Sequence, residues 1–168
     1  MPDLIVAGIT IPIEALGDHG QTYERVGGRA TLTMADGSQI VQSRWEKLIT
    51  KVRGDGWAPP GLADIDPAAV VEVACVAPRA ISRAGNLIPL PAARRSDAPV
   101  RGQAVVAGRV VPTAVVVAGN LATLDAVPGA SGYRALYYPL LLARVALESE
   151  DMDVSGAAWG WALTAREA

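Results

Sequence analysis

His19 is the only histidine in the chain, so a Ser-His-Asp or Cys-His relay would have to be assembled around it. It sits in Gly17-Asp18-His19-Gly20, a turn-forming stretch, and reads as a surface loop residue. Cys75 is the only cysteine, which excludes an intramolecular disulfide and a thiolate metal cluster. Its apolar surroundings, Val70 to Val76, predict a buried and inert thiol. There is no HExxH, no CxxC and no P-loop, and Gly102, Gly108 and Gly119 are too widely spaced for a dinucleotide fingerprint. Glu148, Glu150, Asp151 and Asp153 offer hard oxygen ligands suited to calcium. They lack the glycine and ligand spacing of an EF-hand, and are expected to form a solvated loop between two strands. No carboxylate pair is singled out for glycoside hydrolysis. Arg53-Gly54-Asp55 spells an adhesion tripeptide, but Gly56-Trp57 already accounts for a turn there. The residues predict a chain that is not an enzyme and uses no metal or cofactor.

Four tryptophans remain: Trp45 and Trp57 in the first half, Trp159 and Trp161 near the end. Core packing is the first explanation. The alternative is an aromatic patch buried against another subunit, for which Trp57, Pro59, Pro60, Trp159 and Trp161 are the candidate interface residues.

The elements that would position these residues are mostly short β-branched runs cut by glycine turns, the pattern of an all-β sandwich or barrel built of antiparallel hairpins, with at most one or two short helices. Leu4 to Val6 and Ile9 to Ile13 flank Ala7-Gly8. From Arg29 to Met34, Ala30, Leu32 and Met34 alternate with Arg29, Thr31 and Thr33, the period of a half-buried strand. Asp36-Gly37 then predicts a type I′ hairpin turn into Ile40-Val41. Ser43 to Val52 carries a capping-box spacing, Ser43 to Glu46, but its β-branched Ile49, Thr50 and Val52 favour one long strand. Gly54 to Gly61 is expected to be irregular, and Ala69 to Ala77 a buried strand. Val105-Val106 and Val110-Val111 flank Ala107-Gly108, and Ala114 to Ala118 and Leu121 to Leu124 flank Gly119-Asn120. Leu140 to Leu147 fits a helix or a buried strand equally. Ala157 to Thr164 alternates as a closing strand. Polar, proline-bounded 89–99 reads as a linker between an N-terminal lobe, 1–88, and a C-terminal lobe, 100–168, with one continuous domain as the alternative.

At 168 residues the chain can bury roughly 68–70% of its unfolded surface. Its 51% hydrophobic and 19% charged residues are the balance of a folded protein. A net charge of −2 argues against broad binding to nucleic acid or anionic membrane. Lys47 and Lys51 are the only lysines and there is no Phe, a bias of GC-rich coding. The N-terminus lacks a secretory signal and no apolar run approaches the roughly 20 residues of a membrane span, so synthesis and retention in a cytoplasm are expected.

Arg44-Trp45-Glu46-Lys47-Leu48, then Gly54 to Leu62 and Asp64-Ile65-Asp66, resemble a passage of siphophage tail-tip proteins, the distal tail or upper-baseplate family. Tyr137-Tyr138-Pro139 and Trp159 to Leu163 are similar to the end of the same proteins. The matches touch about a third of the chain. The resemblance implies a small, mainly β, non-enzymatic virion protein, assembled in the host bacterial cytoplasm. It also implies a homo-oligomeric ring that joins the tail tube to the baseplate hub. Two other readings fit the residues: another virion part (tail terminator, connector or capsid decoration), or a small β-barrel that binds a ligand or glycan.

Overall fold

The computed structural model of the chain describes residues 2–168; the side chain of Arg29, placed above on the polar face of its strand, lies outside the described residues. The protein is mainly β, and its helical content among the described residues is a 3-10 turn at Ile13–Ala15. The strands are β1 (Ile5–Val6), β2 (Ile9–Thr10), β3 (Gly20–Thr33), β4 (Gln39–Gly56), β5 (Val71–Ala74), β6 (Arg79–Arg83) and β7 (Leu87–Pro89). They continue with β8 (Arg101–Val106), β9 (Arg109–Thr113), β10 (Val115–Ala118), β11 (Leu121–Leu124), β12 (Ala130–Tyr137), β13 (Leu140–Asp153) and β14 (Ala158–Glu167). They form a seven-stranded sheet, order β2-β1-β5-β13-β14-β4-β3, a four-stranded sheet, β6-β12-β8-β9, and a three-stranded sheet, β10-β11-β7. Among the described residues no helix is long and apolar enough to cross a membrane.

Contacts divide the chain into two compact units, Met1–Ile5 with Val73–Leu141, and Val6–Glu72 with Leu142–Ala168. This division differs from a boundary at 89–99. That segment belongs inside the first unit because its arginines replace the missing apolar pattern. Arg94 donates to Pro91 O and Asn120 Oδ1, each at 2.7 Å, and the backbone N–H of Arg95 donates to Tyr138 O at 2.9 Å. The first unit closes its four- and three-stranded sheets over Ile88, Leu90, Ala122, Leu124, Ala135 and Tyr137. Each side chain of this size contributes about 1.5–3 kcal/mol when fully buried.

In the second unit β4 is the central long strand. Leu48, Thr50 and Val52 alternate onto the buried face and meet Glu167, Ala165 and Leu163 of β14 across the ladder. Ser43 to Val52 is therefore strand, since only a period of two puts these residues on one side. Leu140 to Leu147 is strand for the same reason: Leu141, Ala143 and Val145 are buried while Leu142, Arg144 and Ala146 are exposed.

The runs expected to flank Ala7-Gly8 and Ala107-Gly108 are joined there by tight turns with positive φ at both central residues, 53° and 78° in the first and 50° and 76° in the second. Asp36-Gly37 corrects the expected type I′ turn. Only Gly37 has positive φ, 82°, while its N–H donates to Met34 O and Met34 N–H donates to Ser38 O. This is a type I turn followed by a left-handed glycine, a three-residue connection. The Asp36 carboxylate stabilises it by accepting from Ser38 N at 2.9 Å and Ser38 Oγ at 2.6 Å.

Gly54 to Gly61 is not irregular throughout, because β4 runs on to Gly56. The glycines are required by close approach and not by a turn. A Cβ on Gly54 would stand 2.5 Å from the Trp161 ring and 2.6 Å from Ala15 O, and one on Gly56 would overlap Glu14 O.

Candidate interaction surface

β4 pairs with β14 only as far as Ile49, opposite Arg166. There Glu167 Oε2 accepts from Leu48 N at 2.7 Å and ends the ladder. Pairing of β3 with β4 continues to Thr33 opposite Gln39. From Val26 to Lys47 the hairpin is therefore a two-stranded ribbon extending about 25 Å beyond the sheet. Isolated two-stranded ribbons are marginally stable in water.

The side chains of this ribbon change sides. On the sheet-backed half, Leu48, Thr50 and Val52 on β4 share one face with Tyr23 on β3, and Ile49 is buried on the other. Beyond it, Leu32 lies opposite Ile40, and both share a face with Val26, Ala30 and Met34. Counting by twos along β3, this face is opposite the one carrying Tyr23. A register shift between Gly27 and Arg29 places Trp45 against Gly28, whose added Cβ would lie 2.8 Å from Trp45 Nε1. Trp45 is 53% exposed and Leu32 49%; Ile40 and Met34 are similar. Arg44 and Lys47 are exposed beside them, and Arg25 is engaged with Glu46 at 2.8 Å.

The opposite end of the same sheet is acidic. Glu148, Glu150, Asp151 and Asp153 lie on β13 and not in a loop: the ladder to β14 persists to Asp153 opposite Ala158, across a shift between Leu147 and Ser149. A strand with polar residues on both faces shows no alternation in its sequence, so the expected loop is a strand here. Among the described residues no group of three or more His, Cys, Asp or Glu is placed to hold a metal ion. The tip repeats the device of the other hairpin: Asp153 accepts from Ser155 N at 2.9 Å and Ser155 Oγ at 2.6 Å. These bonds hold the carboxyls of Asp36 and Asp153 below their ordinary range.

The proposed aromatic interface separates into two groups. Trp161 is 3% exposed, with Nε1 donating to Ala15 O at 2.7 Å, and Pro60 is fully buried; both are core. An indole N–H buried with a fixed partner leaves no face for another chain. Trp57 is 73% exposed, Pro59 is exposed and Trp159 half-buried.

His19 Nδ1 lies 2.7 Å from Leu16 O in the loop expected for it. Cys75 is fully buried, as expected. A depression of about 450 Å³ in the second unit is lined by Gly20, Thr22, Lys51, Arg53, Glu148 and Ala162 among others. It brings together solvated charges and no nucleophile–base pair.

The fold and this surface define an antiparallel β protein with an uncovered apolar ribbon. No family model matches the sequence, and comparison with curated proteins and with solved structures finds no match.

Proposed function

We propose that the chain is a structural subunit of the tail tip of a long-tailed bacteriophage, forming an oligomeric ring that joins the tail tube to the baseplate. The single observation that carries this reading is the β3–β4 ribbon. Leu32, Met34, Ile40 and Trp45 lie on the face opposite the one that carries Leu48, Thr50 and Val52, and one subunit leaves about half of each in water. A protein whose work is packing against neighbours has this need, since uncovered ribbons and open strand edges become pairing surfaces in an assembly. The resemblance to tail-tip proteins supports the same role: Arg44-Trp45-Glu46-Lys47 lies on the ribbon, and Trp57 stands at the far end of β4. The role requires no bond-making chemistry.

Sedimentation and negative-stain electron microscopy of the purified chain, alone and with tail-tube protein, test the proposal. Rings, or co-sedimentation with the tube, are expected. A persistent monomer with no affinity for tail proteins overturns it. A gene position beside capsid genes, and not after the tape-measure gene, would favour a different virion part.

A further inference from the structure

The two ends of the seven-stranded sheet within the second unit differ in sign and in what they lack. At one end β4, from Gln39 to Lys47, has no strand on its second side, and the uncovered apolar face carries Arg44 and Lys47. At the other end β13 presents Glu148, Glu150, Asp151 and Asp153, all exposed. Its neighbour on the outer side, β5, is four residues long against β13's fourteen, so most of that edge is open as well. Charged residues on an edge ordinarily protect it, and here they do so selectively. An acidic edge repels a second acidic edge, and a basic edge repels a second basic one. The attractive combination is acidic end to basic ribbon. Because the two lie at opposite ends of one sheet, a single chain cannot make that contact with itself.

We propose that copies of this chain associate head to tail, the acidic β13–β14 hairpin end of one copy docking on the basic, apolar β3–β4 ribbon of the next. The contact is heterologous, so it closes into a ring when the rotation between copies permits and otherwise runs on as a filament. Trp45, Leu32 and Ile40 supply the apolar area, while the carboxylates steer the approach and set the register. Both tips are already fixed by their Asp-to-Ser hydrogen bonds, which lowers the ordering cost of docking. The arrangement rests on the ring reading only for the expectation that copies meet; which surfaces meet follows from charge and open edges.

Two charge-reversal variants test it: Arg44→Glu with Lys47→Glu on the ribbon, and Glu148→Lys with Glu150→Lys and Asp151→Lys on the hairpin. Sedimentation is measured for each alone and for an equimolar mixture. Each alone should self-associate at least about tenfold more weakly than the wild type. The mixture should regain association, because each variant then meets an oppositely charged partner at both ends. Hydrogen exchange of the wild type, which needs no variant to fold, should show protection gained at 39–47 and 148–153 on association. A hairpin variant that assembles like the wild type, a mixture that stays dissociated, or exchange unchanged at these segments overturns the arrangement. If the wild type still forms rings in those cases, the tail-subunit reading stands without it. A wild-type chain that stays monomeric at millimolar concentration overturns the arrangement, and indifference to tail-tube protein as well would remove the reading beneath it.

Discussion

Replacing Arg95 with alanine should destabilise the first unit severely, although Arg95 lies in a segment that reads as a linker. The side chain is 4% exposed. Its guanidinium donates to Ala74 O at 3.2 Å, to Cys75 O at 3.1 Å and to Asp3 O, and makes a forked pair with Asp97 at 2.9 and 2.6 Å. Truncation removes a charged donor from two carbonyls at the end of β5, at about 1–3 kcal/mol each. The buried aliphatic stem is lost too, so a total of about 3–5 kcal/mol is expected. With an m-value of about 2 kcal/mol/M, the urea midpoint followed by circular dichroism should fall by roughly 2 M. Asp97→Ala is the control. The Asp97 side chain is 57% exposed and the Asp3, Ala74 and Cys75 carbonyls still hold the guanidinium, but the buried charge loses its counter-ion, so about 1–2 kcal/mol is expected, less than for Arg95→Ala. Arg95 holds the Asp97 carboxyl below its ordinary 3.8. A carboxyl whose folded value is depressed stabilises above its unfolded value, and that contribution is lost as pH falls through the folded one. The deficit of Arg95→Ala should therefore hold steady from neutrality down to about pH 5. If Arg95→Ala stays within about 1 kcal/mol of the wild type, or Asp97→Ala costs as much, the guanidinium–carbonyl clamp is not what holds this segment.

Thr50 and Thr164 make a second, paired test. Thr50 Oγ1 donates to Thr22 O and accepts from Gln21 Nε2, both at 2.9 Å, whereas buried Thr164 Oγ1 has no partner among the described residues. Thr50→Val should cost about 1–3 kcal/mol, while Thr164→Val should be neutral or stabilising by about 1 kcal/mol; equal effects in thermal melts would contradict this. Gly54→Ala should lower stability by at least about 1–3 kcal/mol, because its Cβ would meet the Trp161 ring and the Ala15 carbonyl. An unchanged melting temperature would show that the 3-10 turn yields freely. Carboxyl NMR should find Asp36 and Asp153 titrating below 3.8, the tips staying ordered above that pH and loosening only as it falls through the folded values. Substituting alanine for Ser38 or Ser155 should return the neighbouring carboxyl towards 3.8, and a carboxyl that does not move would exclude the serine as the cause.

Much of the fold was legible because the hairpins are local. Ala7-Gly8 and Ala107-Gly108 carry their turn chemistry in two residues, and the alternation of Leu141, Ala143 and Val145 against Leu142, Arg144 and Ala146 is visible once a strand is assumed. What could not be read depends on partners distant in sequence. Gly54 looks like a loop glycine until Trp161 and Ala15 are packed over it. Arg95 looks solvated until the carbonyls of Ala74 and Cys75 converge on it. Pro60 and Trp161 have the composition of an interface, and only packing assigns them to the core. Asp36-Gly37 has the residues of one turn and makes another, since the choice depends on how Ser38 is held.

The ribbon shows how one strand can serve two surfaces. A hairpin that only needed to complete the sheet could stop near Ile49, where β14 ends and Glu167 already satisfies the next amide. This one continues through Lys47 to Gln39 and carries Leu32, Ile40 and Trp45 onto the other face, with Val41 left on the first. Within a single chain that choice is unfavourable: about half of Trp45, Leu32 and Ile40 stays in water. It also exposes the apolar edge and face that promote aggregation. Simple edge protection would place Lys or Pro along the ribbon, yet the residues there are Leu32, Ile40, Val41 and Trp45, with the cations confined to its base. The head-to-tail contact proposed above would cover this ribbon and pair its cations with the carboxylates concentrated at the other end.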